Sequence, residues 1–146
     1  MIQRIQSLYM LLTAVLMAFA AFKPLAHITI GSDVSDLFAY DLIYLEILVV
    51  ISALLPFVMI WLFKDLLTQM RLCFAELVLL VGTQAFFIVY LKRIENGVLA
   101  QFSGADVFVN MTTPVVFPAV GIVLMLLAVR ALSKDFKKIN SLNRIR

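Results

Sequence analysis

Histidine and cysteine are almost missing from this sequence, which has one of each, His27 and Cys73, in 146 residues. A single cysteine excludes a disulfide within the chain and offers no metal-ligand spacing. A single histidine argues against a catalytic or zinc site built on histidine within one chain. Charged residues are also scarce, at 14% of the chain, whereas soluble proteins have about a quarter. These shortages predict a protein that is not an enzyme and holds no cofactor.

Apolar residues take their place, making up 64% of the chain and forming four long runs. A helix that crosses a bilayer needs roughly 20 residues at a rise of about 1.5 Å per residue. The runs predict one transmembrane domain over residues 1–146, with helices at about 5–22, 42–63, 71–91 and 114–132 and a tail at 133–146. The predicted fold class is therefore an all-α membrane protein, a bundle of four transmembrane helices.

The first run, at about 5–22, has a second interpretation as a cleavable signal peptide. It follows Arg4, it is apolar, and it contains Ala18-Phe19-Ala20, which resembles a cleavage site. Apolar residues continue beyond that site, so a first membrane helix ended by Lys23-Pro24 is favoured.

Two gaps between the apolar runs carry weak strand signals. In the first, the alternating, β-branched stretch 27–30 precedes a turn at 31–33. In the second, the stretches 98–102 and 106–109 flank Ser103-Gly104, which predicts a hairpin. Together the two gaps could form one small cap outside the membrane.

The basic residues are distributed unequally between the two sides of the predicted bundle. Nine lie with the termini and the turn between the second and third helices, and three lie in the two gaps, which accounts for all twelve. The three are Lys23, Lys92 and Arg93. The positive-inside rule then predicts a multi-pass membrane protein with both termini in the cytoplasm and both gaps outside.

Several polar residues fall inside the predicted helices. Glu76 and Arg130 lie at similar depths near the cytoplasmic ends of the third and fourth helices, which predicts an ion pair between them. The alternatives are proton or ion handling, or charged side chains that reach the interface without a partner. The other candidates are Glu46, Thr83 and Gln84, which more often stabilise helix packing than bind a ligand.

The tail has apolar residues at helical spacing among basic ones, which predicts an amphipathic helix on the membrane surface. Its predicted lipid-contacting residues are Lys134, Lys137, Lys138, Arg144 and Arg146. Anionic lipids of the inner leaflet attract such a segment by about 1 kcal/mol per basic residue. The expected partners are therefore this bilayer and a membrane protein or a second copy of the chain, and no nucleic acid.

Three stretches resemble a bacterial domain-of-unknown-function family, whose members are small, four-span inner-membrane proteins of Bacteroidota. They are Met1–Gln6, Gln69–Cys73, and Arg130–Asp135 with the final Arg144–Arg146. The resemblance covers essentially the whole chain, but Phe136-Lys137-Lys138 replaces a more acidic run. It implies the fold and the location, and it brings no activity, substrate or cofactor.

Two functional hypotheses follow from these observations. The first is a non-enzymatic accessory or assembly subunit that packs with membrane partners. The second is a small oligomeric transporter or ion-handling protein with Glu76 and Gln84 along its path. A membrane enzyme would need polar catalytic residues clustered at one interface, and the sequence shows no such cluster.

Overall fold

A computed structural model describes residues 3–30, 33–39, 42–62, 66–101 and 107–143. Its elements, in chain order, are α1 (Gln3–Phe22), β1 (Ala26–Ile30), β2 (Asp33–Leu37), α2 (Ile43–Trp61), α3 (Leu66–Gln101), β3 (Val107–Met111), a 3-10 turn (Thr113–Val116) and α4 (Phe117–Asn143). The four α-helices are each long and apolar enough to cross a membrane. The predicted class, an all-α membrane protein, is confirmed.

The helices pack in a closed ring, in which α1 contacts α2 and α4, and α3 contacts α2 and α4. Each helix turns one stripe of buried residues toward the centre, at the spacing of about 3.6 residues that an α-helix requires. On α3 the stripe runs from Cys73 through Leu80 to Leu91. The opposite faces are mostly apolar and exposed, as lipid-facing surfaces are.

Gly121 lies where α4 closely approaches α1 and α3. A Cβ at this position would lie 3.3 Å from Cγ2 of Thr13 and 3.4 Å from the δ-carbons of Leu80. Helices in membranes pack through small residues of this kind, because these residues let the backbones approach closely.

α3 is much longer than predicted, since it begins at Leu66 and continues to Gln101. Its 36 residues span about 54 Å, whereas the hydrocarbon core of a bilayer is about 30 Å thick. Lys92 and Arg93 end the apolar run, but nothing there breaks a helix, and the exposed Gly97 is tolerated within it. A charged residue marks where the membrane ends without ending the helix.

α4 likewise continues without interruption from the apolar span into the basic tail and ends at Asn143. The predicted tail helix is therefore the last part of α4.

The three strands form one antiparallel sheet in the order β2–β1–β3. β1 pairs with β2 from Ala26 opposite Leu37 to Ile30 opposite Asp33, so the strand signal at 27–30 in the first gap is confirmed. The hairpin predicted in the second gap is wrong, because Val98–Ala100 is helical and β3 pairs with β1 instead. The strands of both gaps nevertheless meet in one small sheet, as expected.

Backbone and side-chain hydrogen bonds join the sheet to the ends of α1 and α4. The backbone N–H of Leu25 donates to the carbonyl oxygen of Leu37 at 2.7 Å, and that of Thr112 donates to Leu25 at 3.0 Å. The Thr112 hydroxyl also donates to the carbonyl oxygen of Pro24. These bonds hold the segment after α1 beside the segment before α4.

Candidate functional site in the bundle interior

The interior of the ring contains polar side chains near the ends of the helices that are remote from the sheet. Gln69 is 4% exposed, and its Nε2 donates to the carbonyl oxygen of Met59 at 3.1 Å. The same nitrogen lies 3.6 Å from the sulfur of Met10. Gln69 therefore connects α3 to both α2 and α1.

Cys73 lies one turn further along α3 and is fully buried. Its Sγ is 3.5 Å from the sulfur of Met59. Buried thiols and thioethers are soft apolar fillers of irregular space, which agrees with the expectation that Cys73 fills the core.

Glu76 is the most unusual side chain of this interior. It is 0% exposed, and neither of its carboxylate oxygens has a hydrogen-bond partner within the described residues. The Ser52 hydroxyl on α2 is also buried and without a partner. Glu76 lies seven residues, or about 10 Å, beyond Gln69 on α3, and Ser52 lies seven residues before Met59 on α2. Since the two helices are antiparallel and Gln69 contacts Met59, Glu76 and Ser52 lie at the same level of the bundle. Unpartnered polar groups at one buried level are uncommon and destabilising.

The predicted ion pair between Glu76 and Arg130 is absent from the part of the chain that the structure describes. The reason is helical geometry. Ala128 and Leu132 of α4 face the core, and Arg130, midway between them and about 200° around the helix, is exposed on the opposite face. The ion pair was predicted because the two residues lie at similar depths, but α4 places Arg130 on the outer face of the bundle.

The remaining intramembrane candidates have different surroundings. Thr83 is buried on the same face of α3 as Glu76, and its hydroxyl donates to the carbonyl oxygen of Leu79 at 2.9 Å, within its own helix. Gln84 is half-buried, and its Oε1 has no partner in the described chain. Glu46 is half-buried in the first turn of α2, where the helix dipole favours an acid.

The tail residues Lys134, Lys137 and Lys138 are exposed on α4. Arg144 and Arg146 lie outside the described residues. The exposed lysines are positioned for contact with a charged surface.

Sequence reasoning missed three interior residues, Gln6, Ser52 and Gln69. Gln6 is 2% exposed, and its Nε2 donates to the carboxylate of Asp135 at 2.5 Å, which joins α1 to α4. Gln69 lies seven residues before Glu76, so the repeat of the buried stripe could have indicated it. Ser52 has no signal in the sequence beyond being a polar residue within an apolar run.

The polar side chains of this interior can join neighbouring helices by hydrogen bonds. The carboxylate of Glu76, which has no partner among the described residues, could take up a proton or a cation. No three of the described histidine, cysteine, aspartate and glutamate residues lie close enough to hold a metal ion. Two ties, Gln69 to Met59 and Gln6 to Asp135, use polar groups to join neighbouring helices.

Four apolar helices in a ring, with polar groups turned inward, define an integral, multi-pass membrane protein. Residues 2–145 match the family described as Domain of unknown function (DUF4293). The chain belongs to this family, which confirms the resemblance to a domain-of-unknown-function family. Comparison with curated proteins and with solved structures finds no match.

Proposed function

We propose that this protein is a non-enzymatic accessory or assembly subunit that packs with other chains in the bacterial inner membrane. The observation that carries the proposal is the outward face of α3. Val78, Gly82, Ala85 and Val89 fall on one exposed stripe, with Val78 at 74% and Val89 at 67% exposure. Small and β-branched residues in such a stripe allow another helix to approach closely.

Gly82 is the centre of this stripe. A Cβ at Gly82 would meet nothing within 4 Å, so the glycine fills no need of the chain's own packing. This contrasts with Gly121, whose missing side chain makes room for Thr13 and Leu80. Glycine weakens a helix by about 1 kcal/mol, and at this position the cost is not offset by packing within the chain. Close packing of a helix from another chain would account for it.

Replacement of Gly82 by leucine tests the proposal, because the open space around it lets the protein fold unchanged. We expect Gly82→Leu to reduce crosslinking and co-purification with a membrane partner or a second copy, by disrupting close helix approach. Gly97→Leu is the matched control, since Gly97 lies on the same helix beyond the apolar run and also has nothing within 4 Å. Equal association of the two variants, or none for the unaltered protein, would contradict the proposal.

The proposed orientation has both termini in the cytoplasm and the sheet outside, supported by the distribution of nine and three basic residues. Single cysteines in a Cys73→Ala background test it. Asp36→Cys in the exposed β2 should react with an impermeant maleimide on intact spheroplasts, and Lys137→Cys should react only after permeabilisation. Labelling of both sites from the same side would overturn the four-span topology.

The unpartnered carboxylate of Glu76 favours a second candidate, proton or ion handling by an oligomer. An ionisable group inside a membrane is a functional candidate because its burial is costly. Ser52 at the same level and Gln84 further along α3 would supply additional oxygens. For this candidate, Glu76→Gln should abolish flux in liposomes while thermal stability is retained, and Glu95→Gln, in the part of α3 beyond the apolar run, should leave flux unchanged.

A further inference from the structure

A groove opens on the bundle surface between the first half of α1 and the last part of α4. It encloses about 340 Å³ and lies at the end of the molecule remote from the sheet. Ile5 and Tyr9 line it from α1, and Leu127, Arg130 and Lys134 line it from α4. The groove therefore has an apolar part and a basic part.

The basic part is built by a four-residue repeat on α4. Arg130, Lys134 and Lys138 all line the groove, because residues four apart lie above one another on a helix. Asp135 also lines it, but its carboxylate accepts the hydrogen bond from Gln6 at 2.5 Å. Arg130 and Lys134 thus face one carboxylate that is already bonded to a neutral amide, which leaves an excess of positive charge.

The apolar part continues the lipid-facing surface of the helices. Ile5 is 52% exposed and Leu127 is 41% exposed, one on each wall of the groove. Tyr9 lines the groove one turn further along α1 than Ile5, and an amphipathic ring of this kind suits the membrane interface. A soluble anion would use the cationic residues alone, whereas a lipid uses both parts.

From this combination we infer that the groove binds one anionic phospholipid. Its phosphate lies between Arg130 and Lys134, and an acyl chain extends past Leu127 toward the centre of the membrane. Arginine suits this role because its planar guanidinium donates two parallel hydrogen bonds to phosphate oxygens. Arg130 thus binds a lipid phosphate, and not Glu76 as the sequence predicted. The inference does not depend on the proposed packing with other membrane chains.

Lys134 and Lys137 provide a matched pair of variants for the test. Both are exposed lysines on α4, but only Lys134 lines the groove. Lys134→Gln and Lys137→Gln remove the same charge from the same helix, three residues apart. A diffuse attraction to the membrane surface would lower lipid binding equally in the two variants. A defined headgroup site would lower it only in Lys134→Gln.

The experiment is native mass spectrometry of the full chain released from mixed micelles with equal phosphatidylglycerol and phosphatidylcholine. We expect the unaltered protein to retain one phosphatidylglycerol in preference to phosphatidylcholine. Lys134→Gln should lower that retention by about fivefold, the equivalent of about 1 kcal/mol for one basic residue near the surface. Arg130→Gln should lower it at least as much, and Lys137→Gln should leave it unchanged.

Three results would overturn the inference. Equal loss in Lys134→Gln and Lys137→Gln would indicate a non-specific surface effect. Equal retention of the two lipids would show that the groove does not select an anionic headgroup. Displacement of the lipid by millimolar glycerol phosphate would indicate a site for a free phosphate ester. Thermal melts of each variant, expected to match the unaltered protein, keep a folding defect from imitating a loss of binding.

Discussion

The two halves of the bundle interior are built differently. The half near the sheet is mainly apolar, with Phe87 and Leu91 of α3 buried in one cluster with Met17 and Leu45, and the buried Thr83 bonded within its own helix. The other half contains Gln69, Cys73 and Glu76, together with the Gln6–Asp135 bond. The first half is stabilised mainly by packing, and the second partly by hydrogen bonds between helices. Loss of side-chain volume should therefore be most damaging in the first half, and changes of polarity should be decisive in the second.

The largest effect is expected from Phe87→Ala in the apolar half. Phe87 is 0% exposed, and its removal leaves a cavity that rigid helices cannot fill, at a cost of about 3 kcal/mol of unfolding free energy. Denaturation in mixed micelles measures it. Phe86→Ala is the control, since Phe86 is 37% exposed on the outer face. Equal losses for the two variants would contradict the division of the interior.

A gain of stability is expected from Glu76→Leu in the polar half. Both carboxylate oxygens are buried without partners, so an apolar side chain of similar size removes a desolvation cost of about 2 kcal/mol. Thermal melting in micelles measures the change, and Glu95→Leu beyond the apolar run should have little effect. A marked loss of stability in Glu76→Leu would reveal that the carboxylate has a partner in the membrane.

A smaller loss is expected from Gln69→Leu. The variant retains the bulk of the side chain and loses the 3.1 Å bond to Met59, which in membranes amounts to roughly 0.6–1.7 kcal/mol. Thr68→Leu on the adjacent exposed position is the control. A loss of unfolding free energy as large as that of Phe87→Ala would contradict the modest contribution expected from this hydrogen bond.

The smallest effect is expected outside the bundle, at the bond between His27 and Asp36. Nδ1 of His27 lies 2.5 Å from Oδ1 of Asp36, but the two side chains are 41% and 44% exposed. Exposed pairs contribute about 0.2–1 kcal/mol, so Asp36→Asn should change the unfolding free energy by less than about 0.5 kcal/mol. A double-mutant cycle with His27→Gln isolates the pair. A coupling above about 1 kcal/mol would show that this pair stabilises the β1–β2 pairing more than an exposed pair does.

The helices were predictable because their apolar runs are long, and the strand at 27–30 because its residues alternate and are β-branched. The partner of β3 was not predictable, since β1 lies about eighty residues away and local pattern does not report distant pairing. The extension of α3 past Lys92 was missed for a different reason. Hydropathy reports where the bilayer ends, whereas helix ends depend on caps and breakers.

The polar site was only partly predictable. Depth along each helix follows from residue number, so Glu76 and Arg130 were placed at similar levels. Which way a side chain points depends on the rotation of each helix in the ring, and α4 is rotated so that Ala128 faces inward and Arg130 outward. The groove that Arg130 lines needs α1 beside α4, a packing arrangement that no single stretch of sequence encodes.

Because β3 pairs with β1, we expect the fold not to require a continuous chain between α3 and β3. Five residue pairs join the two strands, Thr112 is bonded to Pro24 and Leu25, and α4 packs against both α1 and α3. If the protein were made as two separate polypeptides, one ending at Gln101 and the other beginning at Val107, the second would still have its strand partner and its place in the ring. The protein should therefore assemble from two fragments expressed together in one membrane.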